Sequence, residues 1–256
     1  MFGTKRRRLQ REAFEQPFPE HWRPILSRNW PLWNSLTDEA RERLEELTKV
    51  FVAERRWESA RGFELTEPMK VLIAAQACLL ILELDEDYFR HVSVIIVHPT
   101  TVVLQGPRAS DISGMVSDGP QPILGQATDR GPVVLAWDAV AFDARHPARG
   151  QNVVFHEFAH KLDMLDGTVD GTPPMPDEAA RQRWVKVCTR EFKSVRDDVW
   201  DPVLRDYAAT NPGEFFAVAT EVFFTRPDAL RDAKVDLYEV LANFYHQDPA
   251  SAATPG

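Results

Sequence analysis

Apolar and polar positions recur with two different periods along this chain, and the switches between them mark out its parts. Between Asp38 and Trp57, Leu44, Leu47, Val50 and Phe51 return at helical spacing among charged residues. That predicts an amphipathic helix with one buried stripe. From Glu67 to about Leu84 nearly every position is apolar. This second helix, with Thr66 as its cap and Pro68 in its first turn, belongs at the centre of the core. The period then changes. Val92–Val97 and Thr101–Leu104 are β-branched runs separated by His98-Pro99, which predicts two strands joined by a turn. Residues 106–131 are rich in Gly, Ser, Asp and Pro and predict a long loop with little regular structure. Pro132–Trp137 reads as a further strand, and Asp143–Gly150 as a connection into the next apolar helix. The 132–137 strand has two readings: an edge that pairs with a peptide backbone, or a covered internal strand. Helices are expected at about 177–199, 213–225 and 228–246.

The ends differ from the middle. Residues 1–34 are rich in Pro and Trp and read as an arm that packs aromatics onto the domain, with short helical turns at most. Residues 35–248 form one domain, and 249–256 are expected to be a disordered tail. Helices, a few strands, then helices again give the α+β class, mostly helical with a small mixed sheet before the helix at 153–162.

With 256 residues, 44% of them hydrophobic, the chain can bury a full core. A net charge of −9 argues against direct nucleic-acid binding, which needs a basic face. The run Lys5-Arg6-Arg7-Arg8 reads as a solvated N-terminal segment. Cys78 and Cys188, far apart in apolar helical segments, read as reduced buried thiols. The first residues lack the apolar stretch of a signal peptide. Val71–Leu82 is shorter than the about 20 residues that span a bilayer. A cytoplasmic protein without a membrane segment is expected.

The chemistry is concentrated in Val154-Phe155-His156-Glu157-Phe158-Ala159-His160, an HExxH pattern inside an apolar run. Residues four apart lie on one helix face, so His156 and His160 can aim two imidazoles at one metal ion. Glu157 beside them can act on a water as a general base. This is the zinc-peptidase arrangement, in which a Lewis acid brings the pKa of water to about 7. A structural zinc site is disfavoured, because such sites usually take four ligands, often Cys, and only two cysteines exist here.

A catalytic zinc takes three protein ligands, and three acids compete for the last place. Asp166 follows His160 by six residues, but those sites need a tight turn where this chain has Asp163 in a continuing helix. Glu214 and Glu221 share a face of a second helix, standing about 10 Å apart along its axis. Asn211-Pro212-Gly213-Glu214 also reads as a plain capping-box start, which would occupy Glu214. Glu221 sits among Ala217, Val218, Val222, Phe223 and Phe224, where a lone carboxylate needs a partner. Spacing alone leaves these two open.

Three blocks carry a resemblance: Leu72-Ile73-Ala74-Ala75-Gln76-Ala77-Cys78-Leu79, His156-Glu157-Phe158-Ala159-His160-Lys161-Leu162-Asp163, and Asn211-Pro212-Gly213-Glu214-Phe215-Phe216-Ala217. Over most of its length the chain resembles the Mlc titration factor A family, cytoplasmic zinc peptidases of the gluzincin type. That family is similar to the catalytic domain of anthrax lethal factor. The resemblance implies a zincin-like fold and one Zn2+ per chain. It implies Glu214 as third ligand and Tyr207, seven residues earlier, as a group that assists the reaction by donating to the oxyanion. Glu221 and Asp163 are then candidates to orient a ligand histidine. The substrate class implied is peptides, with an aminopeptidase preference suggested by the family. The family name also implies a transcriptional repressor as a protein partner. The competing reading is a regulatory protein-binding module whose metal site is secondary, although a pure binder has no use for Glu157.

Overall fold

The computed structural model describes residues 15–60, 62–100, 131–197 and 200–252, and between 102 and 127 the backbone of short strands. The Pro- and Trp-rich arm is more regular than its composition suggests. It forms helices α1 (Trp22–Asn29) and α2 (Pro31–Ser35), and Phe18, Trp22, Trp30 and Trp33 are buried in the main core. The basic run at 5–8 lies outside the described residues.

Helix α3 (Asp38–Glu54) starts where Thr37 accepts the Ala40 amide at 3.2 Å, and it buries Leu44, Val50 and Phe51. It ends three residues before the expected Trp57. Arg56–Ser59 instead form β1, a strand without an apolar run. What holds it is backbone pairing: Arg56 to Ser59 lie in parallel register with Val94 to Val97 of β2 (Val94–His98). Between them, α4 (Glu67–Leu80) is the crossover that a parallel pair requires, and it is buried from Val71 to Leu80.

Both β-branched runs form strands, but the two do not pair with each other. β2 lies between β1 and β8 (Val133–Ala136), parallel to both, and Ile95 and Val97 are fully buried. The second run, β3 (Val102–Leu104), pairs antiparallel with β6 (Gln121–Ile123) away from that sheet. β4 (Arg108–Ala109) and β5 (Val116–Ser117) form a short pair within the segment where little regular structure was expected. β7 (Gly125–Ala127) closes the sheet antiparallel to β8, giving the order β1-β2-β8-β7. The 132–137 segment is therefore an internal strand, and its reading as a peptide-pairing edge is overturned because both its sides are taken.

Trp137, expected to end the strand, already belongs to α5 (Trp137–Arg145), a helix that runs into the expected connection at Asp143. It is followed by a turn at Pro147–Arg149 and by Gly150 in the left-handed region. Then come α6 (Val153–Asp163), α7 (Glu178–Asp197) and α8 (Pro212–Thr225). The expected last helix is broken at Lys234 into α9 (Pro227–Ala233) and α10 (Val235–Tyr245). The expected tail forms one turn, α11 (Pro249–Ala252), because Asp248 takes Ser251 and Tyr238 donates its hydroxyl to Asp248 while accepting the Ala250 amide. Residues 253–256 lie outside the described residues. Among the described residues the molecule is mostly helical, with one small mixed sheet and two short antiparallel pairs ahead of α6. One apolar core runs from Phe18 to Ala250. Cys78 and Cys188 are both free. Among the described residues no helix is long and apolar enough to cross a membrane.

Candidate metal centre

Every residue of α6 is buried, which an apolar face alone does not explain, because His156, Glu157, His160, Lys161 and Asp163 are buried with it. Such groups need partners. The start of the helix has several. Asn152 Oδ1 accepts the Phe155 amide at 3.0 Å, the N-cap bond. Asn152 Nδ2 donates to Gln76 Oε1 of α4 at 2.7 Å, and Gln76 in turn donates to the Leu72 carbonyl. The amides of Asn152 and Val153 donate to Glu221 Oε2 and Asp143 Oδ2, at 2.7 and 3.0 Å. Two carboxylates at a helix N-terminus also suit its dipole. Lys161 donates to the Gly131 carbonyl just before β8.

The two imidazoles meet one turn apart, with Nε2 atoms separated by 3.3 Å. α8 crosses behind them and brings Glu214 Oε2 to 3.0 Å from His156 Nε2 and 3.5 Å from His160 Nε2. One ligand atom from each of the three residues lies within 4.8 Å of the others. Asn211 caps α8 by accepting the Glu214 amide at 3.0 Å, and Pro212 opens it. The capping reading and the site reading of Glu214 are thus compatible: Asn211 does the capping, and Oε2 of Glu214 faces the histidines.

Glu221 stands on the opposite side of His156. Its Oε1 accepts from His156 Nδ1 at 2.8 Å and Arg205 Nη2 at 2.8 Å. Its Oε2 accepts the Asn152 amide at 2.7 Å and Arg205 Nη1 at 2.9 Å. A carboxylate has about four lone-pair sites, and all are taken. Since an ionised Glu221 can only accept, it holds a proton on His156 Nδ1; Nε2 faces His160 and Glu214, and it offers a lone pair there once a metal takes the place of its proton.

Two imidazole nitrogens and a carboxylate oxygen, each able to donate an electron pair when deprotonated, therefore converge in a buried spot. Without positive charge they would repel one another, and the set suits a divalent metal such as zinc. The electrostatics agree. Burial opposes charging His156, yet Glu214 and Glu221 raise its pKa to about 10. Burial would raise Glu214, but His156 and His160 hold it well below the usual carboxylate range.

Glu157 is buried beside this set, and its Oε2 has no hydrogen-bond partner among the described residues. Burial pushes its pKa up to about 7, against the pull of His156 and His160. Tyr207 lies before α8 in a single 3-10 turn (Asp206–Ala209) and is 43% exposed. Its ring centroid is 5.9 Å from that of His156, and burial followed by the charge of Glu214 raises its pKa. Among the described residues Asp163 makes no hydrogen bond to either imidazole, although His160 lies close enough to act on its charge. Its Oδ2 accepts the Gly171 amide at 3.0 Å, fixing the loop after α6, and burial pushes its pKa up to about 7. Asp166 is exposed and accepts from Thr168, apart from the convergent set. Sequence reasoning missed Arg205, which belongs to no motif. It also missed the Gln76–Asn152 pair, for which a lone glutamine in an apolar helix and an Asn before an apolar run were available signals.

Residues 4–246 match the model of the glucose-regulated metallo-peptidase M90 family. The chain belongs to that family. Among relatives of this M90 chain, an uncharacterised protein of Synechocystis sp. is 34% identical over 245 residues, 94% of this chain and 88% of that protein. Mlc titration factor A of Cronobacter sakazakii is 32% identical over 241 residues, 90% and 87% of the two chains. The Serratia proteamaculans protein of the same name is 32% identical over 226 residues, 86% and 84%. Membership makes the M90 chain a metallopeptidase, with a metal ion in its chemistry and peptides as its substrate class.

Proposed function

We propose that this chain hydrolyses peptide bonds with one zinc ion held by His156, His160 and Glu214. The observation that carries this is the convergence of His156 Nε2, His160 Nε2 and Glu214 Oε2 beside the buried Glu157. When bound, zinc supplies a Lewis acid that polarises the scissile carbonyl and lowers the pKa of water to about 7. Glu157 accepts the proton of the attacking water and delivers it to the leaving amine, the task of a carboxylate buried beside the metal ligands. The Tyr207 hydroxyl donates to the oxyanion that develops on the substrate. Glu221 fixes the His156 ring and its tautomer, as the orienting partners of metal-binding histidines do. Asp163 holds the turn after α6 that packs on the start of α8. β7, the last strand of the sheet and a neighbour of α6, offers an edge with which an extended substrate can pair.

An aminopeptidase preference and a cytoplasmic setting extend this reading by family likeness. The relatives' name, Mlc titration factor A, supports a second role in which the chain also binds a transcriptional repressor. Metal analysis combined with cleavage of a peptide library, on wild type and Glu157→Gln, tests the enzymatic reading. The variant is expected to keep its zinc and lose activity by about a hundredfold or more. Full activity in the zinc-loaded variant removes Glu157 from the mechanism. A zinc-loaded wild type that cleaves nothing favours the binding-module reading.

A further inference from the structure

Arg205 is where the histidine side of the site meets the tyrosine side. It lies in the segment that runs from α7 to α8, and one end of that segment is firmly tied. Asp201 Oδ1 accepts the Val203 and Leu204 amides at 2.9 and 2.8 Å. Asp201 Oδ2 pairs with Lys234 Nζ at 2.8 Å, and Lys234 lies 3.0 Å from Glu191. Arg205 ties the other end. Its guanidinium grips both oxygens of Glu221, at 2.8 and 2.9 Å, and its Cζ lies 5.7 Å from the centroid of the Tyr207 ring.

We propose that Arg205 is a positioning residue that couples His156 to Tyr207, fixing the imidazole through Glu221 and the tyrosine ring through its own guanidinium face. This rests on the reading of His156 as a metal ligand and Tyr207 as an oxyanion donor.

The chemistry of Glu221 explains why an arginine is needed. Glu221 is 1% exposed, and a carboxylate so buried stays ionised only beside a countercharge. Of its four donors, the two amide and imidazole groups are neutral when His156 binds metal through Nε2, and Arg205 alone brings a permanent charge. An ionised Glu221 in turn keeps the His156 proton on Nδ1. The guanidinium fork spends its edge on both carboxylate oxygens and leaves its face for the aromatic ring. A lysine supplies the charge without the fork or the face. The bland alternative treats Arg205, 30% exposed, as an ordinary surface ion pair. Such a pair would affect neither metal binding nor turnover.

The test uses Arg205→Lys, Tyr207→Phe and the double variant. Zinc affinity is read by competition with a chelator, and kcat and KM are read on a cleaved peptide at saturating zinc. Arg205→Lys is expected to weaken zinc binding about 10–100-fold, the range for partners that orient ligands. At saturating zinc it is expected to lower kcat with KM little changed. In the Tyr207→Phe background that kcat loss is expected largely to vanish, because the hydroxyl it positions is gone. Should Arg205→Lys fold poorly, Arg205→Gln/Glu221→Gln removes both charges together and is expected to show the same dependence on Tyr207. Zinc affinity within twofold of wild type in Arg205→Lys, or kcat losses that multiply independently, overturns the coupling while leaving the site reading intact. A wild type that binds no zinc, or an undiminished kcat in Tyr207→Phe, overturns the site reading and the coupling with it.

Discussion

Glu214 and Glu221 lie on one helix and both touch His156, yet their removal should have opposite consequences. In the metal-free protein, Glu221→Ala leaves the Asn152 amide, His156 Nδ1 and the Arg205 guanidinium facing an empty space. Breaking a buried ion pair from one side costs about 3–5 kcal/mol, and partial exposure of Arg205 places the loss toward the lower figure. Glu214→Ala removes a carboxylate whose neighbours are the two imidazoles and Tyr207, while the Asn211 cap remains. Its cost without metal is that of one charge-assisted hydrogen bond, about 2 kcal/mol. Zinc binding should reverse the order. Glu214→Ala takes away a direct ligand and should weaken zinc by well over a hundredfold. Glu221→Ala should weaken it by about 10–100-fold. Urea denaturation in the presence of a chelator reads the first quantity, and titration against a chelating dye reads the second. If Glu221→Ala strips the metal while Glu214→Ala keeps it, the assignment of roles along α8 is wrong.

Two further expectations concern the frame around the site. At Gly171 (φ +75°) a Cβ would lie 2.3 Å from the Pro212 carbonyl oxygen, whereas at Gly62 (φ +72°) it would meet nothing within 4 Å. Gly62→Ala should cost only the left-handed penalty of about 1–2 kcal/mol; Gly171→Ala should cost distinctly more and also weaken zinc, because Pro212 opens the helix that carries Glu214. Equal losses in urea denaturation would refute the packing argument. Asp163 should make metal-free stability fall as pH rises, since burial lifts its folded pKa to about 7 from the ordinary 3.8. The unfolded chain releases that proton first, so the contribution is present below about 3.8 and lost by about 7. Asp163→Asn should make this slope shallower, the share of Glu157 remaining, and an unchanged pH profile in the variant would remove Asp163 as a source.

What the sequence made legible was whatever lies within one element. His156, Glu157 and His160 fall on one helix, so their spacing alone defines their geometry. Glu214 and Glu221 also share a helix face, and spacing could not rank them, because the choice depends on where α8 crosses α6. Arg205 was invisible for a related reason: its partners, Glu221 and Tyr207, come together only after α8 packs. In the sheet, the β2 and β8 runs were legible from their β-branched residues, whereas β1, Arg56-Trp57-Glu58-Ser59, was not. It is a strand by virtue of its backbone bonds to β2, and its side chains are mostly exposed. The turn at His98-Pro99 was legible, but local turn chemistry cannot specify a parallel partner that lies far away in sequence.

The most direct test of the metal centre is a crystal structure of zinc-loaded protein with anomalous data on either side of the zinc edge. The expected result is one peak per chain, about 2.0–2.2 Å from a nitrogen of His156, a nitrogen of His160 and an oxygen of Glu214. A peak held by any other set of residues, or no zinc in a protein that still cleaves peptides, would contradict the assignment of this site.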